Sequence, residues 1–134
     1  MPTAREFWDR RARVYDAQVC GLYAEAYRKT TEDFLRYLKP EDTVLDFACG
    51  TGNVTLTVAP AVKCIRGIDI SGEMVRRAQA KACAQGVQNA AFTQLDIFDE
   101  SLALGSFDVV MACNVLLYLE DRAEVLARIR ALLK

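Results

Sequence analysis

The sequence has no histidine, almost no net charge and no long apolar run. Its 134 residues include 17 lysines and arginines and 18 aspartates and glutamates, a formal net charge of −1. Without histidine, the commonest general base is excluded. The balanced charge creates no global field that would attract nucleic acid or an anionic membrane surface. No apolar run has the length needed to cross a bilayer, and the N-terminus MPTAREFWDRR lacks the apolar stretch of a secretory signal. We therefore predict no membrane partner.

The five cysteines do not form a pattern typical of a disulfide framework or a metal site. Their number is odd, they are widely spaced, and no CxxC pair occurs. A reducing, cytoplasmic compartment is therefore predicted. Cys49 and Cys113 fall near the candidate site described below, but no histidine or neighbouring cysteine could complete a metal site with them. We interpret both as small side chains packed at strand ends and predict no metal ion.

The apolar pattern predicts an α/β chain of one domain, in which a helical layer precedes alternating strands and helices. Residues 3–39 have helical spacing that is interrupted near Gly21 and ends at Pro40. Ser71 is suited to cap a helix that Gly86 terminates, and residues 121–133 also have helical spacing. Four short apolar segments are predicted strands, at residues 43–47, 64–70, 90–95 and 107–113. This alternation indicates βαβ units and a parallel sheet.

The segment VLDFACGTGN, residues 44–53, carries the strongest functional signal. Its apolar residues suit a buried strand, while Gly50 and Gly52 suit a turn where the backbone comes close to a ligand. A helix is predicted to begin at Asn53, so its free N–H groups and positive dipole end would face anything anionic at the turn. The turn is therefore predicted to bind a ligand that carries a carboxylate or a phosphate.

Three acids and one asparagine fall at the ends of the four predicted strands. Asp46 is near the end of the first strand and Asp69 near the end of the second. Asp96 follows the third strand and Asn114 follows the fourth. Parallel strands bring their carboxyl ends to one edge of the sheet, which is where ligands bind in this architecture. A single acid in such a place commonly caps the next helix, as Asp69 could, but three together favour a binding site.

These segments resemble the motifs of the class I S-adenosylmethionine-dependent methyltransferases, from about Phe7 onward. VLDFACGTGN resembles the strand and glycine turn that hold the methionine part of the cofactor. GIDIS (67–71) resembles the segment whose acid binds the ribose hydroxyls, and QLDIF (94–98) the segment whose acid binds the adenine amino group. FDVVMACNVLLYL (107–119) resembles the fourth-strand segment. The resemblance implies a Rossmann-like parallel sheet of about four strands, order 3-2-1-4, over residues 40–134, with flanking helices and a helical cap over residues 1–39.

The same resemblance implies a set of residues that bind S-adenosyl-L-methionine. Asp69 would accept from both ribose hydroxyls, since one carboxylate can face two donors. Asp96 would accept from the adenine amino group, Asn114 would lie near the methionine amino group, and Tyr15 would make a contact from the cap. The full predicted set is Tyr15, Asp46, Ala48, Gly50, Gly52, Asp69, Ile70, Met74, Asp96, Ile97 and Asn114.

Two other functions fit the sequence less well. A nicotinamide or flavin dehydrogenase has a third glycine or alanine where this chain has Thr55, and Asp46 would lie close to its pyrophosphate, where like charges repel. A methyltransferase of nucleic-acid bases commonly has two prolines and an aromatic after an Asn or Asp, whereas Val, Leu and Leu follow Asn114. Together with the near-zero net charge, this predicts a small-molecule acceptor and no nucleic-acid partner.

Methyl transfer, which the resemblance implies, needs little beyond placement of the acceptor, because the cofactor's sulfonium is already an activated methyl donor. No catalytic residue is assigned. A carboxylate, a tyrosine such as Tyr118 and the acceptor's own low pKa are open alternatives for any deprotonation. Phe7, Trp8 and Tyr27 are interpreted as core or cap residues rather than as a substrate cage.

Members of this family normally continue past the position of Lys134 with further strands, so the chain resembles the cofactor-binding half of the domain. Its fourth strand, FDVVMACNV, would then be an apolar open edge. Two copies could pair through that edge, and a homodimer is the resulting prediction. The alternative function is an S-adenosylmethionine-binding module or enzyme fragment without transfer activity of its own.

Overall fold

A computed structural model describes residues 1–134, and its centre is a parallel sheet of four strands in the order β3-β2-β1-β4. The predicted order 3-2-1-4 is therefore confirmed. The strands are β1 (Thr43–Phe47), β2 (Cys64–Asp69), β3 (Ala90–Gln94) and β4 (Val109–Ala112). The helices are α1 (Ala4–Gly21), α2 (Ala24–Leu35), α3 (Asn53–Val58), α4 (Gly72–Ala84) and α5 (Arg122–Leu132). Short 3₁₀ turns cover Ala59–Ala61 and Leu116–Tyr118. None of these helices combines the length and the apolar character that a membrane crossing requires.

The central strand β1 is buried because it pairs on both sides. Leu45 is aligned with Arg66 of β2 and with Val110 of β4, and the whole of β1 from Val44 to Phe47 is buried. Successive side chains point to opposite faces of a strand, so β1 contributes to two cores. Leu45 and Phe47 pack with residues of α5, and Val44 packs with residues of α3. The continuous apolar run in this part of the sequence follows from burial on both faces.

Phe92 of β3 is packed against glycines of the neighbouring segments. A Cβ atom at Gly67 would lie 2.7 Å from Cδ1 of Phe92 and 3.0 Å from Cβ of Cys49, and a Cβ at Gly52 would lie 2.8 Å from Cζ of Phe92. The ring is buried with Val75 and Ala78 of α4. Both glycines are therefore required by the ring that fills the space beside them.

Gly67→Ala should lower the free energy of unfolding by about 1–3 kcal/mol, because the added methyl group would overlap a closely packed ring. Urea unfolding followed by circular dichroism measures this change. Gly21→Ala is the control, since no atom lies within 4 Å of a Cβ built there. Adding Phe92→Leu to Gly67→Ala should recover part of the loss, and equal stability of Gly67→Ala and the wild type would contradict the packing argument.

The first helix is held to the rest of the fold mainly by polar contacts. Only Ala12 and Val19 of α1 are buried. Asp9 accepts hydrogen bonds from Oγ of Ser71 at 2.5 Å and from the backbone N–H of Glu73 at 3.2 Å, both at the start of α4. Asp16, seven residues further on, accepts from the hydroxyl of Thr51 and from Nζ of Lys81 at 3.2 Å. Two aspartates on one face of α1 therefore fix it above the loops that follow β1 and β2.

The edge of β4 is less open than the sequence predicts. Leu133 adopts an extended backbone after α5 and forms a parallel bridge with Phe107. The backbone N–H of Lys134 donates to the carbonyl of Phe107 at 3.0 Å, and its Nζ lies 3.0 Å from a carboxylate oxygen of Asp108. The expectation of a wholly open edge along FDVVMACNV is wrong at Phe107, because the chain turns back beside the sheet after α5. The outer edge of Val109–Ala112 has no strand beside it.

Candidate functional site

The carboxyl ends of the strands form one wall of a cleft of about 700 Å³, and the first two helices form part of the other. The register of the parallel sheet brings the predicted binding segments to this edge. Nine of the eleven predicted residues line the cleft: Tyr15, Ala48, Gly50, Asp69, Ile70, Met74, Asp96, Ile97 and Asn114. Asp46 and Gly52 do not.

The turn after β1 is fixed by the carboxylate of Asp69. Its Oδ2 accepts from the backbone N–H of Gly50 at 2.9 Å, and its Oδ1 accepts from the backbone N–H of Ser71 at 2.9 Å. Burial raises the pKa of Asp69, while these two hydrogen bonds favour the ionised form. Ser71 caps α4, because its Oγ accepts from the N–H of Met74 at 3.2 Å. Asp69 therefore does not cap α4, and its carboxylate joins the loop after β1 to the loop after β2 at the cleft.

Backbone strain is concentrated at the cleft. Ala48, with φ of 57°, and Asn114, with φ of 54°, are the only two non-glycine residues with positive φ, and both line the cleft. Side chains disfavour this conformation, so it persists only where the surrounding structure imposes it, commonly at ligand sites. Gly50 has a φ of +57° as well, and the nearest atoms to a Cβ built there belong to Tyr15, at 3.7–3.8 Å. Gly50 therefore lines the cleft with no protein atom closer than ordinary contact to that position.

Asp46 is buried and has no cation beside it. Its side chain is 2% exposed, and its Oδ2 accepts from Oγ1 of Thr55 at 2.5 Å. Burial raises the pKa of Asp46 to about 7, although the Thr55 hydrogen bond opposes the shift. The carboxyl borders a small cavity that it shares with Tyr15 and Tyr27, and these two tyrosines also line the main cleft. Burying an acid without a basic partner destabilises the fold. Groups with such strongly shifted pKa values cluster at functional sites, and an acid of this kind suits a cationic ligand.

Gly52 has a position different from that of Gly50. It is buried, with φ of +81°, and faces Phe92 and Ala78 rather than the cleft. The two glycines of the turn therefore differ: Gly50 leaves room beside the cleft, and Gly52 leaves room for the core.

The end of the cleft beyond Asp69 is formed by α4 and by the loop after β3. Met74 and Ile97 are almost fully buried, at 1% and 3% exposure, and present apolar surface there. Asp96 is exposed, and its Oδ1 accepts from the backbone N–H of Phe98 at 2.8 Å. One carboxylate beside apolar side chains suits a flat ring with a polar edge.

Tyr27 of α2 is a site residue that the sequence interpretation places in the core or cap. Its hydroxyl lies 2.7 Å from the hydroxyl of Tyr15, and burial raises the pKa of both phenols. The pair joins α1 to α2 beside the Gly50 turn. No local sequence signal pairs these tyrosines, because their contact depends on the turn between the two helices.

Phe7, Trp8 and Tyr118 form an aromatic cluster at the cleft rather than a core. The rings of Phe7 and Trp8 are 5.2 Å apart and those of Trp8 and Tyr118 are 5.3 Å apart, both edge to face. Tyr118, the tyrosine named as an alternative base, is 59% exposed. The interpretation of Phe7 and Trp8 as cap residues agrees with their place on α1, but it missed that they line the cleft.

The two cysteines near the site are not activated as nucleophiles. Burial raises the pKa of the Cys49 thiol and raises that of Cys113 to about 11. A thiol is unreactive when its thiolate is disfavoured. Cys49 packs against the core beside Phe92, as the sequence interpretation of small packed side chains expects.

The comparisons with known proteins agree with this geometry. Residues 44–134 match the model of a methyltransferase domain family. Nocamycin O-methyltransferase of Saccharothrix syringae is 33% identical over 130 residues, which cover 95% of this chain and 46% of that protein. The 23S rRNA (uracil(1939)-C(5))-methyltransferase RlmD of Psychromonas ingrahamii is 45% identical over 97 residues, which cover 71% of this chain and 22% of that protein.

A solved structure from Methanococcus maripaludis, a candidate S-adenosyl-L-methionine-dependent methyltransferase, shares the fold. Its TM-score is 0.85 at 20% identity, with all of this chain and 63% of that chain covered. This chain spans less than half the length of the two curated relatives, at 46% and 22%. The family model matches well over half of the chain, through every strand of the sheet. The chain therefore belongs to the methyltransferase domain family, whose members are the class I S-adenosylmethionine-dependent methyltransferases that its motifs resemble.

Proposed function

We propose that this chain binds S-adenosyl-L-methionine in the cleft and transfers its methyl group to a small-molecule acceptor. The observation that carries the proposal is the pair of carboxylates at the strand ends, of which Asp46 is buried and Asp69 is half-buried. Asp69 joins the Gly50 turn to the start of α4, because it accepts one backbone hydrogen bond from Gly50 and one from Ser71. Asp46 is buried beside the same turn without a cation. Such an arrangement suits a ligand that carries hydroxyl donors at one point and an ammonium group at another.

The residues present fit this cofactor. The open backbone beside Gly50 and the acid of Asp46 would hold the amino-acid part, Asp69 would accept from the ribose, and Asp96 with Met74 and Ile97 would hold the adenine. When bound, S-adenosylmethionine supplies an activated methyl group, so the chain has to bind and orient the reactants and exclude water. Tyr15 and Tyr27 would cover the site from the helical side.

Isothermal titration of the purified chain with S-adenosylmethionine tests the cofactor site, with S-adenosylhomocysteine and NAD as comparisons. We expect saturable binding of the first two and none of NAD. Binding of NAD but not of S-adenosylmethionine, or binding of none of the three, would contradict the proposal.

A small-molecule acceptor is supported by the charge balance and by the apolar lining of the cleft. The relatives include an enzyme named for nocamycin and an enzyme named for rRNA, so the two acceptor classes both occur among them. The formal net charge of −1 provides no overall positive field that would attract nucleic acid. Total RNA should therefore neither weaken nor strengthen S-adenosylhomocysteine binding at physiological salt. Salt-dependent binding of RNA to the chain would favour a nucleic-acid acceptor.

The second candidate function is a binding module that holds the cofactor without transferring its methyl group. It is favoured by the fact that the predicted contacts, which all lie before Tyr118, account for cofactor binding, whereas no residue is assigned to the transfer step. Radiolabelled methyl transfer to a panel of phenols, carboxylic acids and amines separates the two. Cofactor binding without transfer to any of them would support the module.

Gly50→Val should abolish cofactor binding while leaving most of the fold intact. The φ of +57° disfavours a β-branched side chain, and the new atoms would occupy the space between the turn and Tyr15. Titration with S-adenosylhomocysteine measures the loss, and far-ultraviolet circular dichroism reports on the fold. Gly21→Val, at the last position of α1, is the matched control, and binding by Gly50→Val at wild-type affinity would show that the turn faces away from the ligand.

Pairing of two copies along the free edge of β4 stays a prediction. The edge available is Val109–Ala112, because Leu133 already lies beside Phe107. Backbone groups on an unpaired edge strand are a template for another strand. Sedimentation velocity at micromolar concentration should show a dimer, and a monomer throughout this range would contradict the pairing.

A further inference from the structure

Part of the cleft lies outside the residues predicted to bind the cofactor. It is bordered by α1, by the start of α2 and by the 3₁₀ turn after β4. We call this part the outer wall and define it by Phe7, Trp8, Arg11, Gln18, Tyr23 and Tyr118.

The outer wall presents aromatic rings to the cleft. Phe7, Trp8 and Tyr118 are arranged edge to face, with interplanar angles of 86° and 83° between successive rings. Rings that are held by their neighbours' edges offer faces and edges to a further flat group. The shape and apolar character of this surface suit a planar, conjugated molecule.

Arg11 is the only cationic side chain that lines the cleft. Its guanidinium lies 5.6 Å from the centre of the Phe7 ring and donates one hydrogen bond to Oε1 of Gln18 at 3.1 Å. Both partners are neutral, and Arg11 belongs to none of the ion pairs of the chain. Its remaining N–H donors are therefore available, in a planar group that matches the geometry of a carboxylate.

We propose that the outer wall binds a planar, mainly apolar acceptor that carries an acidic group, and that Arg11 is the residue that selects for the anion. The inference rests on the proposed function, since the acceptor has to lie beside the bound cofactor. The aromatic cluster binds the flat body of the molecule, and Arg11 pairs with its charge. The other charged residues that line the cleft, Asp69, Asp96 and Asp121, are all acidic, so Arg11 is the one point of the lining that attracts an anion.

Equilibrium dialysis with 2-naphthoate and its neutral analogue 2-naphthamide tests this inference, in the presence of saturating S-adenosylhomocysteine. We expect the wild type to bind naphthoate about tenfold more tightly than naphthamide, as for a charge-assisted hydrogen bond. Arg11→Gln should remove this preference and keep the affinity for naphthamide. Trp8→Ala should lower the affinity for both probes. Arg13→Gln is the matched control, because Arg13 is on the same helix but outside the cleft.

Equal affinity for the two probes, absence of binding of both, or an equal effect of Arg13→Gln would overturn the inference. A loss of S-adenosylhomocysteine affinity in Arg11→Gln with naphthoate binding unchanged would also overturn it, because Arg11 would then belong to the cofactor site. The titration of the wild type with S-adenosylhomocysteine reports on the proposed function alone. Cofactor binding without a preference for naphthoate overturns only the present inference, and absence of cofactor binding overturns the proposed function.

Discussion

Asp69→Ala should weaken S-adenosylmethionine binding by about 2–4 kcal/mol, roughly 30-fold to 1,000-fold in the dissociation constant. The carboxylate would be the acceptor for the ribose hydroxyls, and it also fixes the turn through Gly50 and Ser71. Its removal would take away the ligand's acceptor and leave two backbone N–H groups without their partners. Isothermal titration measures the change in affinity.

Asp99→Ala is the matched control for this variant. Oδ1 of Asp99 accepts from the backbone N–H of Ser101, two residues later, at 2.8 Å, much as Asp69 accepts from Ser71. Asp99 lies outside the cleft, so its replacement should leave cofactor affinity within about twofold of the wild type. Unchanged cofactor affinity in Asp69→Ala would show that Asp69 does not bind the cofactor. An equal loss of affinity in both variants would indicate a general loss of structure.

Asp46→Asn should weaken cofactor binding and remove the part of its pH dependence that arises from Asp46. If the ionised carboxylate pairs with the ammonium group, wild-type affinity should rise about tenfold from pH 6 to pH 8, as Asp46 loses its proton around a pKa of about 7. The amide that replaces the carboxyl group does not titrate, so the variant shows only the titration of the ligand itself. The difference between the two pH profiles isolates Asp46, and parallel profiles would contradict its role.

The same substitution should stabilise the protein without ligand, increasingly so at higher pH. Burial raises the pKa of Asp46 in the folded protein to about 7, from the ordinary aspartate value of 3.8. The folded state therefore holds a proton that the unfolded state has lost, and the stability associated with it declines as pH rises from 3.8 through 7. The free energy of unfolding of Asp46→Asn should exceed that of the wild type by a difference that grows by about 3 kcal/mol between pH 5 and pH 8. Urea unfolding at both pH values measures it, and a constant difference would contradict the raised pKa.

The sequence predicted the sheet well because its signals are local. The apolar run of β1, the glycines after it and the Ser71 cap of α4 each lie within a few residues of the structure that they specify. The acids at the strand ends were predicted to meet because parallel strands place their carboxyl ends on one edge. The predicted strands 64–70, 90–95 and 107–113 were each too long by one to three residues, since propensity does not determine where the ladder hydrogen bonds end.

Contacts between distant segments were not predictable in this way. The attachment of α1 through Asp9 and Asp16 depends on the start of α4 and on the loop after β1, which lie far along the chain. The same holds for the strand-like return of Leu133 beside Phe107, which a helical pattern does not indicate.

By itself, the sequence determined the parallel sheet and the residue types that collect at its carboxyl edge, because these follow from the period of the apolar residues and the direction of the strands. The strand order was implied by the resemblance of the motifs to the methyltransferase family, and the structure confirmed it. Only the tertiary structure decided what each residue does there. Gly50 lines the cleft and Gly52 packs under Phe92, although the two are neighbours in one motif. Asp46 is buried and Asp96 is exposed, although both come from strand ends. These differences arise because burial and charge depend on which distant side chains pack against a residue, and local sequence does not contain that information.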